Sequence, residues 1–364
     1  MSDVQMDSVN GKLPVSITED EAALYDRQIR LWGLDAQQRM RNATVLIVRL
    51  KGVATEAIKN IVLAGIGKLI IVDEEVVMET DLGCGFFFSE DSVGQRVSTD
   101  NTQDEQKLTQ TRDCVKRVEA AKPRIQSLNP LVDVVAVSDL GILSDDQLDK
   151  TLAGVDLVCA TDCQKDEMLR LNDACRCARK AFYAGGSYGL LGFVFADLIE
   201  HEYLAQDRNT TNSGATKTVK QSLSYPSLRE CFGHSWKGLS KRQTKELNPS
   251  TVFSIIALWE LESRNMNPVE TSASTELRRI ATELVESAGV NAQAGPVPSV
   301  AAIESLCSTA KHEFSPICAI VGGFLGQDIL KALGAKEPPI SNFLVFDGTT
   351  GGASVVPMKM NTVS

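Results

Sequence analysis

The chemistry this sequence could carry gathers first around one turn. Arg49-Leu50-Lys51-Gly52-Val53-Ala54 follows a short apolar, β-branched run at 44–48 and opens a helical pattern over 52–64. In α/β folds that bind nucleotides this turn is rich in glycine, because backbone N–H groups must approach phosphates closely and side chains would intrude. Here only Gly52 is a glycine. Arg49 stands where the first glycine belongs, and Ala54 where the last belongs. Asp73 closes the next apolar run (68–73), where a carboxylate would hold a ribose, and Asp162 closes a later one (155–160). The setting is that of a phosphate site, but the residues are not, so the turn is expected to bind no nucleotide by itself.

Other candidate motifs read as structure. Gly185-Gly186-Ser187-Tyr188-Gly189 matches G-x-S-x-G, but a nucleophile elbow needs a helix directly after the serine. Residues 190–195 (Leu-Leu-Gly-Phe-Val-Phe) read as strand instead. Gly322-Gly323-Phe324-Leu325-Gly326 lies inside a long apolar helix, where small residues serve close helix packing. Cys175 and Cys177 point to different faces of one helix, no C-x-x-C occurs, and the histidines are His201, His234 and His312. No metal site is expected from such a set. Tyr25-Asp26-Arg27-Gln28-Ile29-Arg30 belongs to a helix whose apolar side is Ala23, Ile29, Trp32 and Tyr25. By residue type alone, Arg27 and Arg30 are flank residues that face solvent or pair along the helix.

The elements that would position these residues alternate. Thr18-Glu19-Asp20-Glu21 has the pattern of a capping box, and the helix it opens is expected to stop at Gly33. Strand, helix and strand then succeed one another over 44–73, which is a βαβ unit and argues a parallel sheet. The alternation continues with a helix at 112–128 containing Pro123, a strand at 132–137 and a short helix after Ser144. A strand at 155–160, a helix at 165–180 and a strand at 181–184 follow. Polar stretches at 98–111 and 205–222 read as loops. Helical patterns at 250–263, 274–288 and 298–311 make a smaller helical lobe, Ser315-Pro316 opens a long apolar helix to Leu333, and strands at 342–346 and 353–357 finish the chain. The expected fold is α/β, a doubly wound, mostly parallel sheet. Its domains are a tail at 1–17, a sheet domain made of 18–204 and 313–364, and a linker with the small lobe at 205–312.

Composition excludes several classes. Of 364 residues, 43% are hydrophobic, enough for a packed core, and acids exceed bases by 47 to 37 for a net charge of −10. General nucleic-acid binding or a polybasic membrane surface is not expected from such a balance. Nine cysteines cannot all pair, and several lie within apolar runs, as in Leu157-Val158-Cys159-Ala160. They read as buried thiols of a reducing compartment. With no basic-then-apolar leader and no run of about 18 apolar residues, the expectation is a soluble intracellular protein.

The run Tyr25-Asp26-Arg27-Gln28-Ile29-Arg30-Leu31-Trp32-Gly33, with a βαβ unit directly after it, resembles the ubiquitin-like-protein activating enzymes. Within that family it looks like the small, non-thioester subunits that serve SUMO. Further segments match in order: Leu128-Asn129-Pro130-Leu131-Val132-Asp133-Val134, Phe195-Ala196-Asp197-Leu198, Ser315-Pro316-Ile317-Cys318-Ala319-Ile320-Val321-Gly322-Gly323, and Asn342-Phe343-Leu344-Val345-Phe346-Asp347-Gly348. The resemblance covers about 18–357. It implies two homologous adenylation halves that pair face to face, one holding ATP and magnesium to activate the modifier's C-terminal carboxylate.

This chain departs from the active half. After Asp73 it reads Asp81-Leu82-Gly83-Cys84-Gly85-Phe86, Val97 stands at the position of an expected lysine, and Cys163 rather than asparagine follows Asp162. The resemblance therefore implies an inactive half that binds no cofactor alone, with Arg49, Gly52, Asp73 and Asp162 as remnants. ATP and Mg would lie in the partner, the thioester-forming subunit, with SUMO as substrate and the conjugating enzyme as an indirect partner. Arg27 would reach the partner's ATP in trans, and Tyr25, Gln28, Arg30 and Trp32 would line the interface. Arg49 would fill the dead site as an internal ion pair with Asp73 and Asp162. A nuclear location is implied by the family alone. An equivalent subunit for another ubiquitin-like modifier, a nucleotide-independent scaffold and a Rossmann oxidoreductase remain as alternatives.

Overall fold

The structure, a computed structural model, describes residues 16–93, 115–206, 218–270 and 272–360. Expectations for the tail before residue 16, for Val97 and for the 98–111 stretch lie outside those residues. Three short helices open the chain: α1 (Glu19–Leu24), α2 (Asp26–Trp32) and α3 (Leu34–Asn42). The Thr18–Glu21 capping box is present, with each side chain accepting the other's backbone N–H. The sequence reading of one helix to Gly33 is corrected at Tyr25, where the helix breaks; Gly33 (φ 87°) ends α2 as expected, and α3 starts directly after it.

The sheet strands β1 (Thr44–Val48), β2 (Lys68–Val72), β3 (Asp133–Val137), β4 (Leu157–Thr161) and β5 (Ala181–Tyr188) are parallel, in the order β3-β2-β1-β4-β5. Helices α4 (Gly52–Leu63), α5 (Arg117–Leu128), α6 (Asp145–Ala153) and α7 (Lys165–Cys177) connect them. β1 and β4 are buried on both faces, the condition that makes a parallel-sheet strand a continuous apolar run rather than an alternating one. The chain then turns back. β6 (Leu191–Asp197) pairs antiparallel with β5, the later strands β9 (Phe343–Asp347) and β10 (Gly352–Val356) add antiparallel beyond it, and eight strands form one mixed sheet.

The 205–222 stretch is not simply a loop. β7 (Glu200–Gln206) and β8 (Thr218–Ser224) pair as a separate two-stranded ribbon, and the residues between them lie outside those described. After the ribbon come α8 (Leu228–Cys231), α9 (Lys241–Glu246), α10 (Pro249–Ser263), α11 (Ala273–Ala288) and α12 (Val300–Thr309). One side of α10 packs with α11 and α12 around Leu258, Leu277 and Ile303, a small core of the lobe. Its other side sets Trp259 edge-on to Phe193 and Phe343 of the sheet.

α13 (Ser315–Gly334) crosses the other face of the sheet against α4. By length and composition α13 is apolar enough to cross a membrane, yet it is a core helix, with Val321, Leu325 and Ile329 fully buried. The glycines explain its close approach. A Cβ on Gly322 would lie 2.5 Å from Glu56 Cβ and 2.6 Å from the Val53 carbonyl oxygen, and one on Gly326 would lie 3.0 Å from Asn60 Cβ. Ser187 lies buried within β5 beside Cys318, so the G-x-S-x-G match is a strand and not an elbow. Cys175 is buried and Cys177 exposed, on opposite sides of α7.

Candidate functional site

The turn between β1 and α4 lies where a doubly wound sheet receives a phosphate, at the N-terminal end of α4. Arg49 adopts a left-handed conformation (φ 67°), which a glycine would take without strain. Its carbonyl accepts the Thr161 hydroxyl at 3.0 Å. Its guanidinium reaches Glu167 on α7 at 2.9 Å. This corrects the expected partners: Arg49 is an internal ion-pair residue, but its carboxylate comes from α7 and not from Asp73.

Asp73 is 1% exposed and already engaged. One carboxylate oxygen accepts the Leu50 N–H at 2.7 Å and the other accepts the Glu75 N–H at 2.8 Å. Arg117, at the start of α5, stands 3.6 Å from Asp73 and makes a two-pronged contact with Asp81 at 2.9 and 3.1 Å. The carboxylate that would hold a ribose thus braces the turn and shares a buried arginine. Asp162, also left-handed (φ 50°), has a buried Oδ2 without a hydrogen-bond partner. Burial raises its pKa, against the pull of Lys51 and Arg49.

A residue that the sequence reading does not single out lies against the first turn of α4. The Gly52 N–H, at the start of α4, donates to Glu313 Oε1 at 2.7 Å. A Cβ on Gly52 would meet Glu313 Oε1 at 2.9 Å, Cys318 Sγ at 2.8 Å and Cys84 Cβ at 2.8 Å. Burial and the nearby Asp162 carboxyl push the Glu313 pKa up to about 7. The carboxyls of Asp73, Asp81, Asp162, Glu167 and Glu313 outnumber Arg49, Lys51 and Arg117 around the turn. These residues do not fit a nucleotide. The first amide of the helix is already bonded, and a triphosphate would add negative charge to an acidic pocket.

The helix that carries Arg27 is organised differently from the sequence reading. Tyr25 is a core residue, 3% exposed, its ring packed against Gly65 and its hydroxyl accepting from Asn129 Nδ2 at 2.7 Å. It anchors α2 from inside and offers no surface for an interface. Ala23, expected on the apolar side, is exposed, while Glu21 is buried and paired with Arg41 at 2.8 Å. Gln28 donates to the Leu63 carbonyl, and Trp32 Nε1 donates to Gln37 Oε1 at 2.9 Å; both side chains are partly buried. Arg30 pairs with Asp26 one turn earlier at 2.9 Å, exposed to solvent. Arg27 is exposed, and no hydrogen bond or ion pair joins it to the described residues. Around it Leu24, Leu31 and Leu34 are exposed at 63%, 76% and 53%.

The fold and the altered phosphate turn define the class. The sequence profile of the ThiF family matches residues 25–363, and the chain belongs to that family. More narrowly, it is similar over nearly its whole length to proteins named SUMO-activating enzyme subunit 1. The Rattus norvegicus protein is 32% identical, with 97% of this chain and 98% of that one covered. The Homo sapiens protein is 30% identical, with 93% and 95% covered. Among solved structures, selenomethionine PaaA superposes with a TM-score of 0.55 at 13% identity, covering 97% of this chain and 78% of that one. Escherichia coli MccB with succinimide gives 0.52 at 15% identity, covering 93% and 73%. These two likenesses are of fold.

Proposed function

We propose that this chain is the non-catalytic subunit of a heterodimeric SUMO-activating enzyme, contributing Arg27 to adenylation in a partner that holds ATP and Mg. The observation that carries the reading is the state of Arg27. It is exposed and has no partner among the described residues, while the neighbouring Arg30 is tied to Asp26 and the cations of the chain's own turn are engaged or crowded by acids. Exposed leucines on the surrounding helices, with Ile320 and Phe324 at 40% each on α13, form apolar surface of the kind that partners cover. The relatives named as subunit 1 support assembly with a second subunit.

Attack of a carboxylate on an α-phosphate builds negative charge, and a preorganised guanidinium that never loses its proton stabilises it. An arginine supplied from a second chain makes that chemistry depend on assembly. SUMO would be the substrate, the thioester would form on the partner, and the conjugating enzyme would engage the assembled enzyme. The nuclear location implied by the family belongs to the same proposal, and imaging a fluorescent fusion tests it.

The test is SUMO-dependent ATP–pyrophosphate exchange by this chain alone, by this chain with the thioester-forming subunit, and by that mixture with Arg27→Ala. The expected pattern is silence alone, exchange in the mixture, and a loss on the order of 10²–10³ with Arg27→Ala, as for removal of one charge-stabilising donor. Loss of the heterodimer on gel filtration would make Arg27 structural. Silence in the mixture would favour another modifier or a scaffold.

A further inference from the structure

We propose that Glu313 is an internal plug, a side chain of this protein that occupies the phosphate position of its own vestigial nucleotide site and keeps oxyanions out. The helix N-terminus is an anion site by construction, since its first N–H groups are unsatisfied within the helix and carry the positive end of its dipole. In this chain that end is not left open. Glu313 Oε1 accepts the Gly52 N–H at 2.7 Å, and no Cβ at position 52 would find room beside it.

The plug arrives from far along the chain. Residues 310–314 return from α12 of the lobe to α13, and the His312 carbonyl accepts the Gly189 N–H at 3.0 Å just before Glu313 enters the turn. The same strap therefore closes the site and ties the lobe to the sheet hairpin. The groups facing Glu313 come from every element packed around it: Lys51 from the turn, Asp162 from the end of β4, Asp81 and Cys84 from the segment after β2, and Cys318 from α13. Asp162 and Asp81 disfavour a second anion, and Lys51 favours one. An oxyanion could reach the Gly52 amide only by taking the place of Glu313.

Two measurements on the full chain test this, using glycine-selective 15N labelling so that the Gly52 amide is read directly. In the first, inorganic phosphate is the probe. The Gly52 resonance of the natural chain should not move, nor that of Glu313→Gln, which keeps the shape and the acceptor. With Glu313→Ala the resonance should shift, with phosphate binding at least roughly tenfold tighter than in the natural chain. A phosphate-dependent shift in the natural chain, or none in a folded Glu313→Ala chain, overturns the proposal. The second measurement needs no truncated side chain. The Gly52 amide of the natural chain should titrate with pH through the Glu313 transition, and Glu313→Gln should remove that step. A Gly52 amide indifferent to pH, or a step that survives Glu313→Gln, overturns the contact itself.

Discussion

Three glycines of α13 offer a graded test of how closely this helix lies on α4. Each is changed to alanine in turn. At Gly322 the new methyl would lie 2.5 Å from Glu56 Cβ and 2.6 Å from the Val53 backbone oxygen. Backbone cannot step aside, so the helices must part, and overpacking of this kind costs about 1–3 kcal/mol. The removal of a mid-helix glycine returns up to about 1 kcal/mol. With a rigid neighbour at 2.6 Å the cost belongs at the upper end, so the net loss should be about 2 kcal/mol. At Gly326 the nearest atoms are Asn60 Cβ at 3.0 Å and the Ala57 carbonyl at 3.2 Å, so clash and gain should nearly cancel. At Gly323 nothing lies within 4 Å, and alanine should stabilise by about 0.5–1 kcal/mol. Thermal unfolding of the isolated chain reads the series. Unfolding entropy scales with length, so each kcal/mol moves the midpoint by roughly 1–2 °C, and the order should be Gly323→Ala highest and Gly322→Ala lowest. Equal midpoints for Gly322→Ala and Gly323→Ala would refute the claim that the glycines set the helix approach.

Two further predictions concern charge. Arg117→Met keeps much of the stem but leaves Asp73 and Asp81 buried without their cation. The expected loss is about 3–5 kcal/mol by denaturant titration, while Arg229→Ala, which breaks an exposed pair with Asp173, should cost under about 1 kcal/mol. A loss for Arg117→Met no larger than that for Arg229→Ala would show that the triad is not braced as described. Glu313 gives a dependence on pH. Its folded pKa lies near 7, above the ordinary 4.5, so the native state holds a proton that the unfolded chain releases, and stability falls as pH rises from about 4.5 to about 7. Paired denaturation curves should show Glu313→Gln lacking this fall, and parallel curves for the two chains across that window would count against it.

Much of the architecture is written locally. Apolar β-branched runs separated by helical periods name the parallel strands and the helices between them, because burial on both sheet faces forces such runs. The substitutions of the phosphate turn are equally local, and so is the glycine pattern of α13, since both reflect what the backbone must approach. The break at Tyr25 was not legible, since its cause is tertiary. The ring must enter the core beside Gly65 and Asn129, and the helix gives way to let it. Nor was the β7–β8 ribbon, whose polar residues carry no apolar alternation and whose hydrogen bonds run between its two strands.

Residue types and spacing alone were enough to read that the nucleotide turn was spoiled and that Arg27 and Arg30 stand on one helix. What each charge does followed from the folded arrangement. It gave Arg49 to Glu167, Asp73 to the turn and Arg117, Arg30 to Asp26, and the Gly52 amide to Glu313, and it left Arg27 without a partner among the described residues. Gly52 and Glu313 lie 261 positions apart, and Arg49 and Glu167 lie 118 apart. Charge pairing depends on distance in space and on exclusion of water, and neither has any periodicity along the chain.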